Sequence, residues 1–274
     1  MSTVKMISLR VKSMKNIQKI VKTMKVVSAA KYAKAKKDLL VARPYGTSTK
    51  VFYDKLDLKD PQEQTLLIAI TSDRGLCGAL HKNVSTKIKE EFAKRPENSK
   101  IVCVGEKSRG LLQGQYGKSF LGVADQIGRK PPTFLDASRI SNILFTTPYK
   151  YTSGKIIFNE SKSVVSYLTS VVSVFTLRTL NAAPGLRVYD SLDDDLLQSY
   201  LEFSVTSLVF YALKEAAASE QSSRVNAMDQ ASKTAGNMIS ELTMVLNKTR
   251  QAAITTELIE IISGATAAKK DSGV

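Results

Sequence analysis

The chain has 274 residues, 43% of them hydrophobic, enough to bury a core in one large domain or in a medium domain with appendages. Its formal charge of +15 is uneven: residues 1–37 hold ten Lys and one Arg with no Asp or Glu, leaving only +4 for everything after them. A single histidine, His81, excludes a histidine-based metal centre, and two cysteines without a CxxC spacing, Cys77 and Cys103, read as buried thiols of a reducing or matrix-like compartment.

The basic N-terminus has the charge of a mitochondrial transit peptide, but such peptides favour Arg over Lys, and here a helical pattern runs on to about Ala42. Ile17, Ile20, Met24 and Val27 repeat at coiled-coil spacing, which predicts a seam with Lys12, Lys15, Lys19, Lys22 and Lys25 on the opposite face. Pro44 is expected to kink or end the helix, 49–58 to continue it, and Asp60-Pro61 to stop it.

Beyond that point the period changes. Residues 65–71 read as a buried strand, 72–78 as a loop, the stretch to about Ala93 as a helix, and 100–104 as a second strand before a helix from about Glu106. A helix near 137–145 and strands at 155–161 and 171–177 follow, with 122–133 and 181–195 as loop-rich connections. Strands alternating with helices predict a parallel α/β sheet. The loop Ser72-Asp73-Arg74-Gly75-Leu76-Cys77-Gly78 stands where such sheets bind phosphate, yet neither GxxxxGK[ST] nor GxGxxG occurs, so a structural turn is the better reading.

From about Asp193 to Ser263 there is no Pro and only Gly236, which permits one helix of roughly 100 Å at about 1.5 Å per residue. Met228, Ala231, Ala235, Met238, Leu242, Val245, Thr249, Ala252, Thr256 and Ile259 alternate by 3 and 4 and predict a seam that packs on the first helix. Asp193, Asp194 and Asp195 fit an N-cap and first-turn charge better than a metal cluster, and Glu257 with Glu260 reads as a solvated or ion-paired face. No run approaches the roughly 18 uncharged apolar residues of a membrane span, so no direct membrane insertion is expected. The predicted architecture is a long antiparallel coiled coil of terminal helices, 1–60 and 193–274, with a Rossmann-like α/β domain, 61–192, inserted between them.

Three motifs carry a resemblance. Asn16-Ile17-Gln18-Lys19-Ile20 with Met24 and Ser28-Ala29-Ala30-Lys31, the loop 72–78, and Arg250-Gln251-Ala252-Ala253-Ile254-Thr255-Thr256-Glu257-Leu258 with the following Ile259-Glu260-Ile261-Ile262-Ser263-Gly264-Ala265 resemble, in order, the motifs of ATP synthase γ subunits. The resemblance covers essentially the whole chain. It implies a non-catalytic rotor, without cofactor or metal, that turns inside a hexamer of α and β subunits and also meets the δ and ε central-stalk subunits and a membrane c-ring. By resemblance, Met24, Lys19, Lys22, Lys25, Arg74, Arg250, Gln251 and Thr255 are candidate contacts to β subunits. Leu258, Ile259, Ile261 and Ile262 form an apolar bearing tip, and Tyr189 with Asp190 aligns with the stretch that meets the ring.

The regulatory cysteine insertion of chloroplast forms is absent, while Tyr32 and the wording of the loop point to a mitochondrial and fungal form on the matrix side of the inner membrane. Two other classes remain at this point. A nucleic-acid-binding protein would use the lysine face but not the C-terminal seam, and a self-associating coiled-coil scaffold would use the seams alone.

Overall fold

The computed structural model describes residues 2–58, 63–189 and 192–271. Two compact units emerge, Val27–Ala227 and the paired chain ends Met1–Val26 and Met228–Val274. Helices α1 (Ser2–Lys55) and α6 (Asp194–Asp271) each contribute to both.

The larger unit is built on a five-stranded sheet of order β3-β2-β1-β4-β5. Its strands are β1 (Thr65–Ile70), β2 (Ser99–Val104), β3 (Phe120–Ala124), β4 (Ser153–Ser161) and β5 (Tyr167–Phe175). The central strand β1 is buried throughout, because both of its faces are covered. Leu66, Ile68 and Ile70 join a cluster with Tyr53 of α1, Leu56 in the turn just after it, Ile140 and Leu144 of α4 (Phe134–Thr146), and Leu208, Val209 and Ala212 of α6. Leu67 and Ala69 point the other way, to Val84, Ile88 and Phe92 of α2 (Leu80–Lys94) and Leu112 of α3 (Glu106–Tyr116). Burying each such large side chain contributes roughly 1.5–3 kcal/mol, so the sheet is held from both sides. Thr133 caps α4 and exchanges hydrogen bonds with Asp136, a capping box.

Strands β1 to β4 are mutually parallel as predicted, but β5 runs antiparallel to β4. Only residues 162–166 separate them, and a parallel return needs a crossover of about a dozen residues, so a hairpin is the available geometry. Strand β3 falls partly in the stretch expected to be loop; it is a short edge strand containing Gly122. The segment between β5 and α6 holds a short helix α5 (Leu177–Asn181) and a 3-10 turn (Pro184–Val188).

Pro44 does not end α1. An internal proline costs about 3 kcal/mol, and here the burial of Leu39, Ala42, Thr49, Tyr53 and Leu56 on either side outweighs it.

The seams also differ from expectation. In the larger unit α1 turns Ser28, Tyr32, Ala35, Leu39, Ala42, Gly46, Thr49 and Tyr53 inward, an unbroken 4-and-3 alternation that Leu56 of the following turn extends. In the smaller unit the less exposed α1 positions are Val4, Ile7, Val11, Met14, Gln18, Val21, Met24 and Lys25, so of the predicted seam Met24 is half-buried. Ile17 and Ile20, placed in the seam by sequence, are 44% and 58% exposed, and in the larger unit Val27 is exposed too. On α6 the inward set is Met228, Ser232, Ala235, Ile239, Leu242, Leu246, Thr249 and Ala253, with Ala231 half-buried beside Ser232; the predicted Met238, Val245 and Ala252 each give way to the next residue. Met238 and Val245 are exposed as a result, and Ile259 lies beyond the inward set in a wholly exposed stretch. The two helices of this unit run antiparallel: Lys25 Nζ meets Asp229 Oδ1 at 2.6 Å and Gln18 Nε2 donates to the Ser232 carbonyl oxygen at 3.3 Å.

By length and composition α6 contains one stretch apolar enough to cross a membrane, contrary to the expectation from sequence; most of it is buried inside the protein as a core helix.

Candidate partner-binding surfaces

The loop 72–78 leaves β1 at the carboxyl edge of the sheet, and its backbone is held from inside. His81 Nε2 donates to the Arg74 carbonyl oxygen at 2.9 Å, Arg224 Nη2 to that of Gly75 at 3.2 Å, and Ser223 Oγ to that of Cys77 at 2.6 Å. Leu76 and Gly78 both adopt φ of 62°, a left-handed turn that leaves Leu76 64% exposed and Arg74 at the surface. Gly105, at φ 95°, lies so close beneath that a Cβ there would stand 2.6 Å from the Ser72 nitrogen.

Open sheets of this order bind ligands in the crevice at the strand ends. Here α6 fills that crevice: Ser219 donates to the Asn159 carbonyl oxygen at 3.0 Å, and the Ser161 nitrogen donates to Glu215 at 2.9 Å. Arg43 of α1 completes the contact by pairing with the buried Glu215 at 3.1 Å. Glu220 and Arg224, both buried, form a second ion pair on α6 beside the loop. Burial lowers the His81 pKa, so the ring is neutral, with the proton on the nitrogen that faces Arg74. Burial likewise pushes the Cys77 and Cys103 thiols up to about 11, which makes them poor nucleophiles. The loop is therefore a fixed turn that displays Arg74 and Leu76.

On the smaller unit, Lys12, Lys15, Lys19 and Lys22 are exposed as expected. Lys25 is not on their face; it stands in the seam, bound to Asp229. Hydrogen bonds from Lys25 and Lys233 bring the Asp229 carboxyl down to about 2. Met24 is half-buried. Ile17 and Ile20, with Met6 and Leu9, add an apolar component to a surface that sequence reading had made purely basic.

Further along α6, Arg250, Gln251 and Thr255 are exposed, the last donating back to the Gln251 carbonyl oxygen at 3.0 Å. Arg250, Ala253, Ile254 and Glu257 face Val4, Lys5, Ser8 and Leu9 across a groove of about 510 Å³. Every residue from 254 to 266 is exposed. Leu258, Ile259, Ile261 and Ile262 thus stand 53%, 58%, 67% and 63% exposed, apolar side chains with no cover of their own. Tyr189 is 44% exposed with its ring edge against Phe52, and Asp190 lies outside the described residues.

Sequence reading missed the groups that fix the loop, Ser223, Arg224 and Glu220, although Glu220 and Arg224 have the i, i+4 spacing of an ion pair. It also missed Asp229, whose acidic side chain opposite a lysine-rich helix was the available signal.

A family model described as ATP synthase matches residues 3–268. The mitochondrial ATP synthase subunit gamma of Drosophila melanogaster is 56% identical over 270 residues, covering 97% of this chain and 91% of that one. The rat ATP synthase F(1) complex subunit gamma is 47% identical over 271 residues, covering 97% and 99%. Its counterpart in Saccharomyces cerevisiae is 32% identical over 277 residues, covering 96% and 88%. Among solved structures, a chain of the Euglena gracilis mitochondrial ATP synthase superposes with a TM-score of 0.85 over 100% of this chain and 97% of that one, at 21% identity. A chain from the Tetrahymena thermophila central stalk and c-ring gives 0.68 over 78% and 99%, at 25% identity.

Proposed function

Because this chain belongs to the family of ATP synthase γ subunits, we propose that it is the central shaft of a rotary ATP synthase, coupling rotation of a membrane c-ring to conformational change in the β subunits. It is a non-catalytic subunit: bond-making belongs to the β subunits, and the protein acts on the matrix side of the mitochondrial inner membrane. Its partners are the α and β subunits of the head, the δ and ε subunits of the stalk and the c-ring. The relatives lend no support to a nucleic-acid-binding or scaffold role.

One observation carries the reading of how it works. The smaller unit spends its apolar residues outward as well as inward: Ile17 and Ile20 on α1 and Leu258, Ile259, Ile261 and Ile262 on α6 are exposed. Apolar contact is non-directional, so a hydrophobic sleeve formed by α and β subunits would cover the tip without holding it at one angle. Lys19 and Lys22 supply attraction to acidic loops on β subunits, and screened charge pairs tolerate changing geometry. Arg74, Met24, Arg250, Gln251 and Thr255 complete the contacts that change with rotor angle; Lys25 acts with them through its pair with Asp229. Tyr189 and Asp190 belong to the foot on the ring. In this division 1–60 and 193–274 are shaft and 61–192 is foot. An asymmetric shaft meets three chemically identical β subunits differently and biases each toward a different nucleotide state.

Co-expression with α and β subunits followed by an ATPase assay tests this. The chain should enter the complex as a single copy and change its turnover; absence from the complex, or unaltered turnover, would refute the proposal.

A further inference from the structure

The larger unit carries another charged concavity, of about 240 Å³, beside the loop that comes after β3. Lys31 and Lys34 of α1, Arg129 and Lys130 of the loop and Lys214 of α6 line it. Two carboxylates share the space and both are engaged: Asp38 with Lys214 at 3.4 Å, Glu220 with Arg224. Among the described residues, Lys31, Lys34, Arg129 and Lys130 form no ion pair. With five cations against two engaged carboxylates, the concavity keeps an excess of positive charge, which concentrates anions there.

The loop is built to hold its cations there. Gly128 takes φ of 86°, and a Cβ on it would stand 2.7 Å from the Ser72 Cβ. The Asp73 nitrogen donates to the Ile127 carbonyl oxygen at 3.1 Å, and Pro131 and Pro132 stiffen the loop just after its two cations. The concavity's volume is below the range of about 300–1,000 Å³ usual for drug-sized ligands, so it suits a compact, highly charged group.

We propose that this cleft binds a small phosphate-bearing anion, with Lys31, Lys34, Arg129 and Lys130 neutralising its oxygens. Arg129 offers paired donors to two oxygens, and the lysines act as point charges around it. A bound anion ties α1, the loop after β3 and α6 together. The same chemistry is presented by free pyrophosphate and by the phosphate tail of a nucleotide.

Lysine-acetylation footprinting read by mass spectrometry, on the chain assembled with α and β subunits and on the full chain alone, tests this at physiological ionic strength. Pyrophosphate should slow acetylation of Lys31, Lys34 and Lys130 but not of Lys118 or Lys150, which are exposed elsewhere. Arg129→Gln with Lys130→Gln should weaken the protection of Lys31 and Lys34 about tenfold or more, and the charge-matched Lys118→Gln with Lys150→Gln should not. Protection by pyrophosphate but not by ADP assigns the site to the free anion; protection by both admits the nucleotide tail. No protection, equal weakening in the two double variants, or protection by polyglutamate but not by pyrophosphate overturns the proposal.

Discussion

Gly46 of α1 lies against the ring of Tyr211 of α6, so close that a Cβ at position 46 would overlap the ring carbons. Tyr211 cannot retreat easily, since it is buried and its ring meets Phe158 edge-on at 5.5 Å. Gly46→Ala should therefore lower stability by about 1–3 kcal/mol, as overpacking does, seen as a lower urea midpoint. Gly110→Ala is the matched control: it sits inside α3 with no atom within 4 Å of a new Cβ, and should stabilise by up to about 1 kcal/mol. A variant Gly46→Ala as stable as the parent would show that α1 and α6 can part here without loss.

Arg224→Ala strands the Glu220 carboxylate in the interior and releases the Gly75 carbonyl oxygen. Removing one partner of a buried pair costs about 3–5 kcal/mol, and thermal unfolding should register it. Replacing both partners, Arg224→Met with Glu220→Leu, should recover much of the loss. Equal loss in the single and double variants would place the effect in the Gly75 contact instead.

Asp229 gives the smaller unit a pH dependence of definite sign. Its pKa falls from 3.8 to about 2 on folding, through hydrogen bonds from Lys25 and Lys233. The stabilisation is fully present above the unfolded value and is lost as pH falls through about 2. The difference in helix melting between the parent and Asp229→Asn should stay constant above pH 3.8 and shrink as pH approaches 2. A difference that persists unchanged at the acid end would remove the ion pair as its source.

The corrected seam separates two kinds of apolar residue on α1. Ile17→Ser with Ile20→Ser should leave the isolated chain within about 0.5 kcal/mol of the parent and reduce recovery of the complex with α and β subunits. Val11→Ser, at a position only 7% exposed, should destabilise the isolated chain by more than about 1 kcal/mol in the same unfolding measurement. The opposite ranking would restore the original register.

That register shows where sequence reasoning runs out. The buried strand β1 and the two terminal helices were legible because local composition and fold agree: β1 is apolar on both faces, and α6 holds no proline. The seam of α1 was misread by one residue because its inward positions include Gln18, Lys25 and Ser28, while the more apolar Ile17, Ile20 and Val27 face out. Counting apolar residues finds the greasiest stripe, and a helix that serves partners keeps one for them. The fixing of the loop 72–78 by Ser223 and Arg224 was illegible for a different reason, since those contacts join residues nearly 150 positions apart.

The uncovered end of α6 has a consequence for supply. A chain whose far helix carries an unshielded Leu- and Ile-rich stretch at 258–262 is finished only by other polypeptides, and copies made in excess would find each other instead. Its useful abundance is capped by the number of α and β rings waiting to receive it, so production of the three chains has to be matched.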